Sequence, residues 1–210
     1  MVDPVIAEKL LQQKEIELGG EEREVTILFS DIRGFTTLSE SRSSTDILSF
    51  LNIYLTHMGQ VIEHNGGIVD KFIGDAIMAL WGAPICHEDD VDRALCAAIE
   101  MSNELAGLNE LLQVTEWPAI QIGIGIHTGV VVAGNMGSPD RLNYTVIGDG
   151  VNLASRLETL TKEYDAMIII SEASLSKAKL EYETQDLGIV KVKGRSEETR
   201  IFALLGKRNT

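Results

Sequence analysis

The chain has 210 residues, with 32 Asp and Glu against 18 Lys and Arg, so its formal net charge is −14. It is long enough for one complete core, and the negative balance opposes non-specific binding to nucleic acid. With 44% hydrophobic residues, no apolar run near the roughly 18 residues of a membrane span and no signal-peptide pattern, it reads as a globular chain without a membrane segment.

Residues 1–21 carry a short amphipathic piece (Val5, Ile6, Leu10, Leu11) and then Gly19-Gly20 among charges. They read as a leader on the domain, or as the remnant of a signalling helix that joins an upstream regulatory module. A first strand is expected over "EVTILFSD", residues 24–31, apolar on both faces and therefore central. It ends in Asp31, followed by Gly34, Phe35 and Thr36, a turn whose free N–H groups precede a helical segment. Such backbone donors can cradle a triphosphate. A helix follows, with N-cap candidates Ser44 and Thr45, apolar residues at helical spacing from Ile47 to Ile62, and a stop at Asn65-Gly66.

"GIVDKFIGDAIMALWG" predicts two strands around the tight turn Gly74-Asp75. A second amphipathic helix is expected from about Asp89 to Leu112. Its start, "HEDDVDR", reads as an acidic first turn that complements the helix dipole; it lacks the glycine and spaced ligands of a calcium loop. Ile120, Ile122, Ile124 and Ile126 alternate strictly, and a turn at Thr128-Gly129 is expected to lead into another strand. A helix over "DGVNLASRLETLTKEY", a strand "MIIIS", a short helix and the closing strands "LGIVKVKG" and "TRIFALL" complete the chain. His127 reads as a satisfied strand-end histidine. Cys86 and Cys96 fit neither a disulfide framework nor a metal site, which suits a reduced, cytoplasmic setting.

This order gives an α+β fold: a ferredoxin-like βαββαβ core with a C-terminal α/β extension. The helices should cover one face of the sheet, leaving the other apolar face for a partner subunit. In such a sheet the first strand lies beside the second hairpin strand, so Asp31 and Asp75 can converge. Two aspartates and a backbone carbonyl suit Mg²⁺, although strand-end aspartates also serve simply as turn devices. Asn152 and Arg156 stand four apart on one helix face, bracketed by Val151, Leu153, Ala154 and Leu157.

Four stretches, "FSDIRGFT", "DKFIGDAIMALWGAP", "GIGIHTGVVVAGNMGS" and "YTVIGDGVNLASRLE", together resemble the class III nucleotidyl cyclase catalytic domain, most of all the bacterial homodimeric adenylyl cyclases of cyanobacterial type. The resemblance implies a catalytic domain at 22–205 between the 1–21 leader and a 206–210 tail. It implies that Asp31, Asp75 and the carbonyl of Ile32 hold two Mg²⁺ or Mn²⁺ ions. Lys71 and Thr145 would read the purine, Asn152 and Arg156 would hold the ribose and the transition state, and Lys193 would hold the terminal phosphates. ATP is the implied substrate: lysine donates to adenine N1, and a hydroxyl accepts from the N6 amino group. A guanylyl cyclase, a non-catalytic nucleotide-binding module and a palm-type phosphotransferase are the alternatives. The last lacks its expected hairpin sequence, since this chain has "FIGDAI" there. The family's shared site further implies a head-to-tail homodimer.

Overall fold

The computed structural model describes residues 19–114, 117–138, 141–191 and 198–208. Its elements are strand β1 (Gly19–Ile32), helix α1 (Phe35–Glu40), α2 (Ser44–His64), β2 (Ile68–Ile73), β3 (Ala76–Trp81), α3 (Asp90–Val114), β4 (Ile122–Ser138), β5 (Arg141–Ile147), α4 (Asp149–Glu163), β6 (Ile168–Ser171), α5 (Glu172–Leu175), β7 (Tyr182–Lys191) and β8 (Glu198–Lys207). They form an α+β fold around one eight-stranded sheet, in the order β2-β3-β1-β4-β6-β8-β7 with β5 paired to β4. β4 and β6 run parallel; the other pairs are antiparallel. The expected neighbour relation holds: β1 lies beside β3, the second hairpin strand.

Alternation divides the sheet's residues between two faces. Leu28 and Ile32 of β1, with Ile122, Ile124 and Ile126 of β4, pack under α2 (Phe50, Tyr54, Met58, Ile62) and α3 (Leu95, Ala98, Met101). Val25 and Ile27 meet Met78, Leu80, Val131 and Val146 on the opposite side. The expectation that all helices share one face is therefore corrected. Helix α4 lies on the second face, setting Leu153 and Leu157 on Ile169 and Ile201. It can approach because β4 has no side chain beneath it: a Cβ at Gly125 would overlap the backbone of Glu158 and Ala154.

Several boundaries also change. β1 starts at Gly19 rather than at residue 24, since its charged beginning is held in a ladder against the far half of β4, with Glu22 opposite Val132. That same ladder runs through Thr128 and Gly129, which pair with Thr26 and Val25, so no turn forms there. Thr128 is buried and hydrogen-bonded to Thr26 and Ser174 at 3.0 Å each. The N-cap of α2 is Ser43, whose hydroxyl accepts the Asp46 N–H at 3.2 Å. His127 lies within β4, buried, with Nδ1 2.8 Å from Ser171 Oγ. Asp92 does more than face a dipole: it is buried and accepts the N–H groups of Lys179 and Leu180 and the Tyr182 hydroxyl at 3.0–3.1 Å.

Candidate active site

The Gly74-Asp75 turn forms where the sequence placed it, with Gly74 at φ +67°. It delivers Asp75 to the end of β1, where Asp75 Oδ2 accepts the Ile32 N–H at 3.2 Å. The Asp75 carboxyl stands close enough to the Asp31 carboxyl to feel its charge. Burial first, and then the neighbouring Asp31, pushes Asp75 up to about 7. Two carboxylates pressed together in this way are what a divalent cation relieves, and with the Ile32 carbonyl they could supply hard oxygen ligands. Among the described residues no group of three His, Cys, Asp or Glu side chains is placed to hold a metal ion. The candidate set is therefore two side chains and backbone, which leaves positions for substrate oxygens.

A third carboxylate, not singled out in the sequence, flanks this pair. Glu158 on α4 is 9% exposed and sits over Gly123, the β4 residue paired with Asp31. Burial and the charge on Asp31 push it up to about 7, against a smaller opposing effect of Lys162. Its signal in the sequence lies in two distant places: Gly-Ile-Gly at 123–125, which marks close backbone approach, and a glutamate beside the apolar stripe of the helix. Arg33 fastens the same corner, its guanidinium donating to the Thr161 and Ala166 carbonyls at 3.0 and 2.7 Å.

Beyond Asp31 the chain turns at Gly34, whose φ of +70° makes glycine the fitting residue, into the short helix α1. The N–H groups of Phe35 and Thr36 lie in its first turn, where helical N–H groups lack partners within the helix.

Lys71 and Thr145 are far apart in sequence and adjacent in space: Lys71 Nζ donates to Thr145 Oγ1 at 3.2 Å. Asp70 completes the group, accepting from the Thr145 hydroxyl at 3.0 Å and from Lys71 at 3.1 Å. A β-bulge between Val69 and Lys71 explains how consecutive strand residues reach one partner. In a regular strand they would point to opposite faces; the extra residue re-aims them. Burial raises the Asp70 carboxyl, and Lys71 and Thr145 act against that.

Asn152 is exposed and Arg156 partly so. Both lie away from the α4 stripe that meets the sheet, and no hydrogen bond or ion pair with another described residue engages either. The structure thus brings Asp31 to Asp75 and Lys71 to Thr145, and leaves Asn152 and Arg156 facing outward. Lys193 lies outside the described residues.

Comparison with known proteins supplies the family. Residues 20–206 match the family described as Adenylate and Guanylate cyclase catalytic domain. The chain is 43% identical over 198 residues to an adenylate cyclase of Anabaena cylindrica, covering 90% of this chain and 38% of that protein. It is 35% identical over 184 residues to adenylate cyclase 1 of Rhizobium meliloti (strain 1021), covering 88% and 28%. The chain therefore spans well under half the length of these relatives. The crystal structure of the adenylyl cyclase CyaB from P. aeruginosa superposes with a TM-score of 0.84 at 34% identity, covering 91% of this chain and 98% of that one. A crystallised guanylyl cyclase gives a TM-score of 0.83 at 37% identity, covering 91% and 96%. Paired strand-end aspartates at a hairpin turn, an outward Asn-Arg helix face and this likeness along nearly the whole fold agree, and the chain belongs to the adenylate and guanylate cyclase catalytic domain family.

Proposed function

We propose that this chain is an adenylyl cyclase catalytic domain that converts ATP to 3′,5′-cyclic AMP and pyrophosphate. The observation that carries the reading is the meeting of Asp31 and Asp75, one carboxyl raised by the other, beside a turn that offers backbone N–H groups. Asp31, Asp75 and the Ile32 carbonyl would hold two Mg²⁺ or Mn²⁺ ions, which when bound neutralise phosphate charge and acidify the attacking hydroxyl. The turn at Gly34, Phe35 and Thr36 holds phosphate oxygens through its N–H groups, and Lys193 holds the terminal phosphates. Asn152 fixes the ribose so that its 3′-OH lies in line with the α-phosphorus, and pyrophosphate departs on the opposite side. Arg156 meets the charge that gathers on the equatorial oxygens.

The names of similar structures do not choose the purine, since both an adenylyl and a guanylyl cyclase are among them. Lys71 favours adenine because an ammonium can only donate: it matches the N1 acceptor of adenine and opposes the N1–H of guanine.

We further infer a head-to-tail pair of chains, in which Asn152, Arg156, Lys193, Lys71 and Thr145 of one copy face the Asp31–Asp75 pair of the other. Support comes from the outward Asn152 and Arg156, which no other described residue engages. It comes also from exposed apolar side chains on the β4–β5 arm, where Val132 lies directly opposite Ile147. The free thiols of Cys86 and Cys96 suit the cytoplasm. Among the described residues no helix is long and apolar enough to cross a membrane. An upstream regulatory module would occupy part of the length that the longer relatives have beyond this chain.

The test is direct. The purified chain is incubated with ATP or with GTP and Mg²⁺ or Mn²⁺, and the cyclic product is identified by mass. Cyclic AMP and pyrophosphate are expected; cyclic GMP as the main product, or no product with either metal, contradicts the proposal.

A further inference from the structure

We propose that Asp70 is a specificity-positioning residue: it takes the one proton of the Thr145 hydroxyl and so leaves that oxygen able only to accept from the purine. This rests on the reading of Lys71 and Thr145 as the purine readers. The hydrogen-bond inventory of the cluster makes the case. A threonine hydroxyl has one proton and two lone pairs. In this structure the proton goes to Asp70 Oδ2 at 3.0 Å, and one lone pair receives Lys71 Nζ at 3.2 Å. One lone pair remains. Lys71 has three protons, of which one goes to Thr145 and one to Asp70 at 3.1 Å, leaving one for the ligand. The cluster therefore presents one donor and one acceptor, the complement of adenine N1 and N6-H. Guanine, with N1–H and O6, would need the reverse.

Without a fixed acceptor the hydroxyl would rotate and serve either purine, because a hydroxyl proton turns to suit its partners. Asp70 prevents this, and its own position is secured by two features. The bulge between Val69 and Lys71 sends its side chain to the same partner as that of Lys71. Its side chain is 1% exposed, against 42% for Lys71, so water cannot readily replace Thr145 as its partner. The aspartate and threonine are the fixed members of the cluster and the lysine is the reaching one. Asparagine at position 70 keeps the size but brings an NH₂ group that can donate to the threonine oxygen, releasing the hydroxyl proton toward guanine O6.

The experiment measures kcat/KM of the purified chain for ATP, for GTP and for purine ribonucleoside triphosphate, which carries only hydrogen at C6. The proteins are wild type, Asp70→Asn, Thr145→Val and the double variant. Wild type should prefer ATP, and Asp70→Asn should reduce the ATP-to-GTP ratio by about tenfold, the scale of one mismatched hydrogen bond. In the Thr145→Val background, Asp70→Asn should change the ratio less than twofold, because the two residues act as a unit. The nucleotide without a C6 substituent keeps N1 but offers the threonine nothing, so Asp70→Asn should cost it less than it costs ATP, and melting curves of each variant separate lost positioning from misfolding. A ratio unmoved by Asp70→Asn, additive effects in the double variant, or an equal loss with the unsubstituted purine each overturn the inference while leaving an ATP-cyclising wild type intact. A wild type that forms mainly cyclic GMP overturns the ATP reading and this inference with it.

Discussion

The Ile32 N–H donates to Asp75 Oδ2 at 3.2 Å, which ties the last residue of β1 to the turn of the β2–β3 hairpin. The same hydrogen bond holds two carboxyls together that would otherwise repel. Replacing either by asparagine keeps the size and a hydrogen-bond acceptor but removes the charge that a cation needs. Asp31→Asn and Asp75→Asn should each lower cyclase turnover by about 10²- to 10³-fold, the scale of one electrostatic contact to a reacting phosphate. Steady-state assays at saturating Mn²⁺ check this, with melting curves to show that both variants fold.

A second prediction concerns pH. The Asp75 and Glu158 carboxyls are each pushed up to about 7 in the folded chain, from ordinary values near 4. Below about pH 4 folded and unfolded chains both hold these protons, and the groups take nothing from stability. As pH climbs toward 7 the unfolded chain sheds them first, so stability is lost across that window and stays lost above it. The metal-free wild type should lose more melting temperature between pH 5 and pH 8 than Asp75→Asn or Glu158→Gln does. Adding Mg²⁺ at pH 8 should raise the melting temperature of wild type and leave Asp75→Asn unmoved. Calorimetry across that range decides it; equal slopes for all three proteins would refute the assignment.

A third prediction follows from the outward Asn152 and Arg156. Asp31→Ala and Arg156→Ala should each be inactive alone. Mixed in equal amounts, they should regain part of the activity, because the mixed pair holds one site with neither substitution. Recovery should rise with total protein concentration through the range in which the dimer forms, as followed by light scattering. No recovery in a mixture shown to exchange subunits contradicts the shared site.

A fourth tests the closeness of α4 to the sheet. A methyl group at Gly125 meets the backbone of Glu158 and Ala154, which cannot turn aside as a side chain could. Gly125→Ala should cost about 1–3 kcal/mol of stability or more. At Gly107, on helix α3, an added methyl would meet nothing within 4 Å, and Gly107→Ala should be neutral or slightly stabilising. Denaturant melts of the two variants check the contrast.

What the sequence disclosed and what it hid follow from the range of the interactions involved. The α2 helix, the Gly74-Asp75 hairpin and the neighbour relation of β1 and β3 were readable because spacing and turn residues act locally. Asp31 and Asp75 were readable too, as residue types that end elements. The long β1–β4 ladder was not, since nothing in Glu21 or Glu22 asks for a strand; the pairing with the far half of β4 supplies it. Thr128-Gly129 has the composition of a turn and is overruled by the same ladder. The strand β5 was not anticipated, although it carries Thr145. That Asp70 shares a partner with Lys71 was not readable, because an alternating strand sends neighbours apart and a bulge is invisible to periodicity. Glu158 was hidden for a different reason: its surroundings are set by two glycines more than thirty residues away.

Helix α4, about 22 Å long for its 15 residues at 1.5 Å each, has one more consequence. Its sheetward edge sets Glu158 beside Asp31 of its own chain, while its free edge, in the proposed pair, offers Asn152 and Arg156 to the neighbouring copy. In the proposed pair of chains every such rod serves two catalytic centres at once, as a common axle.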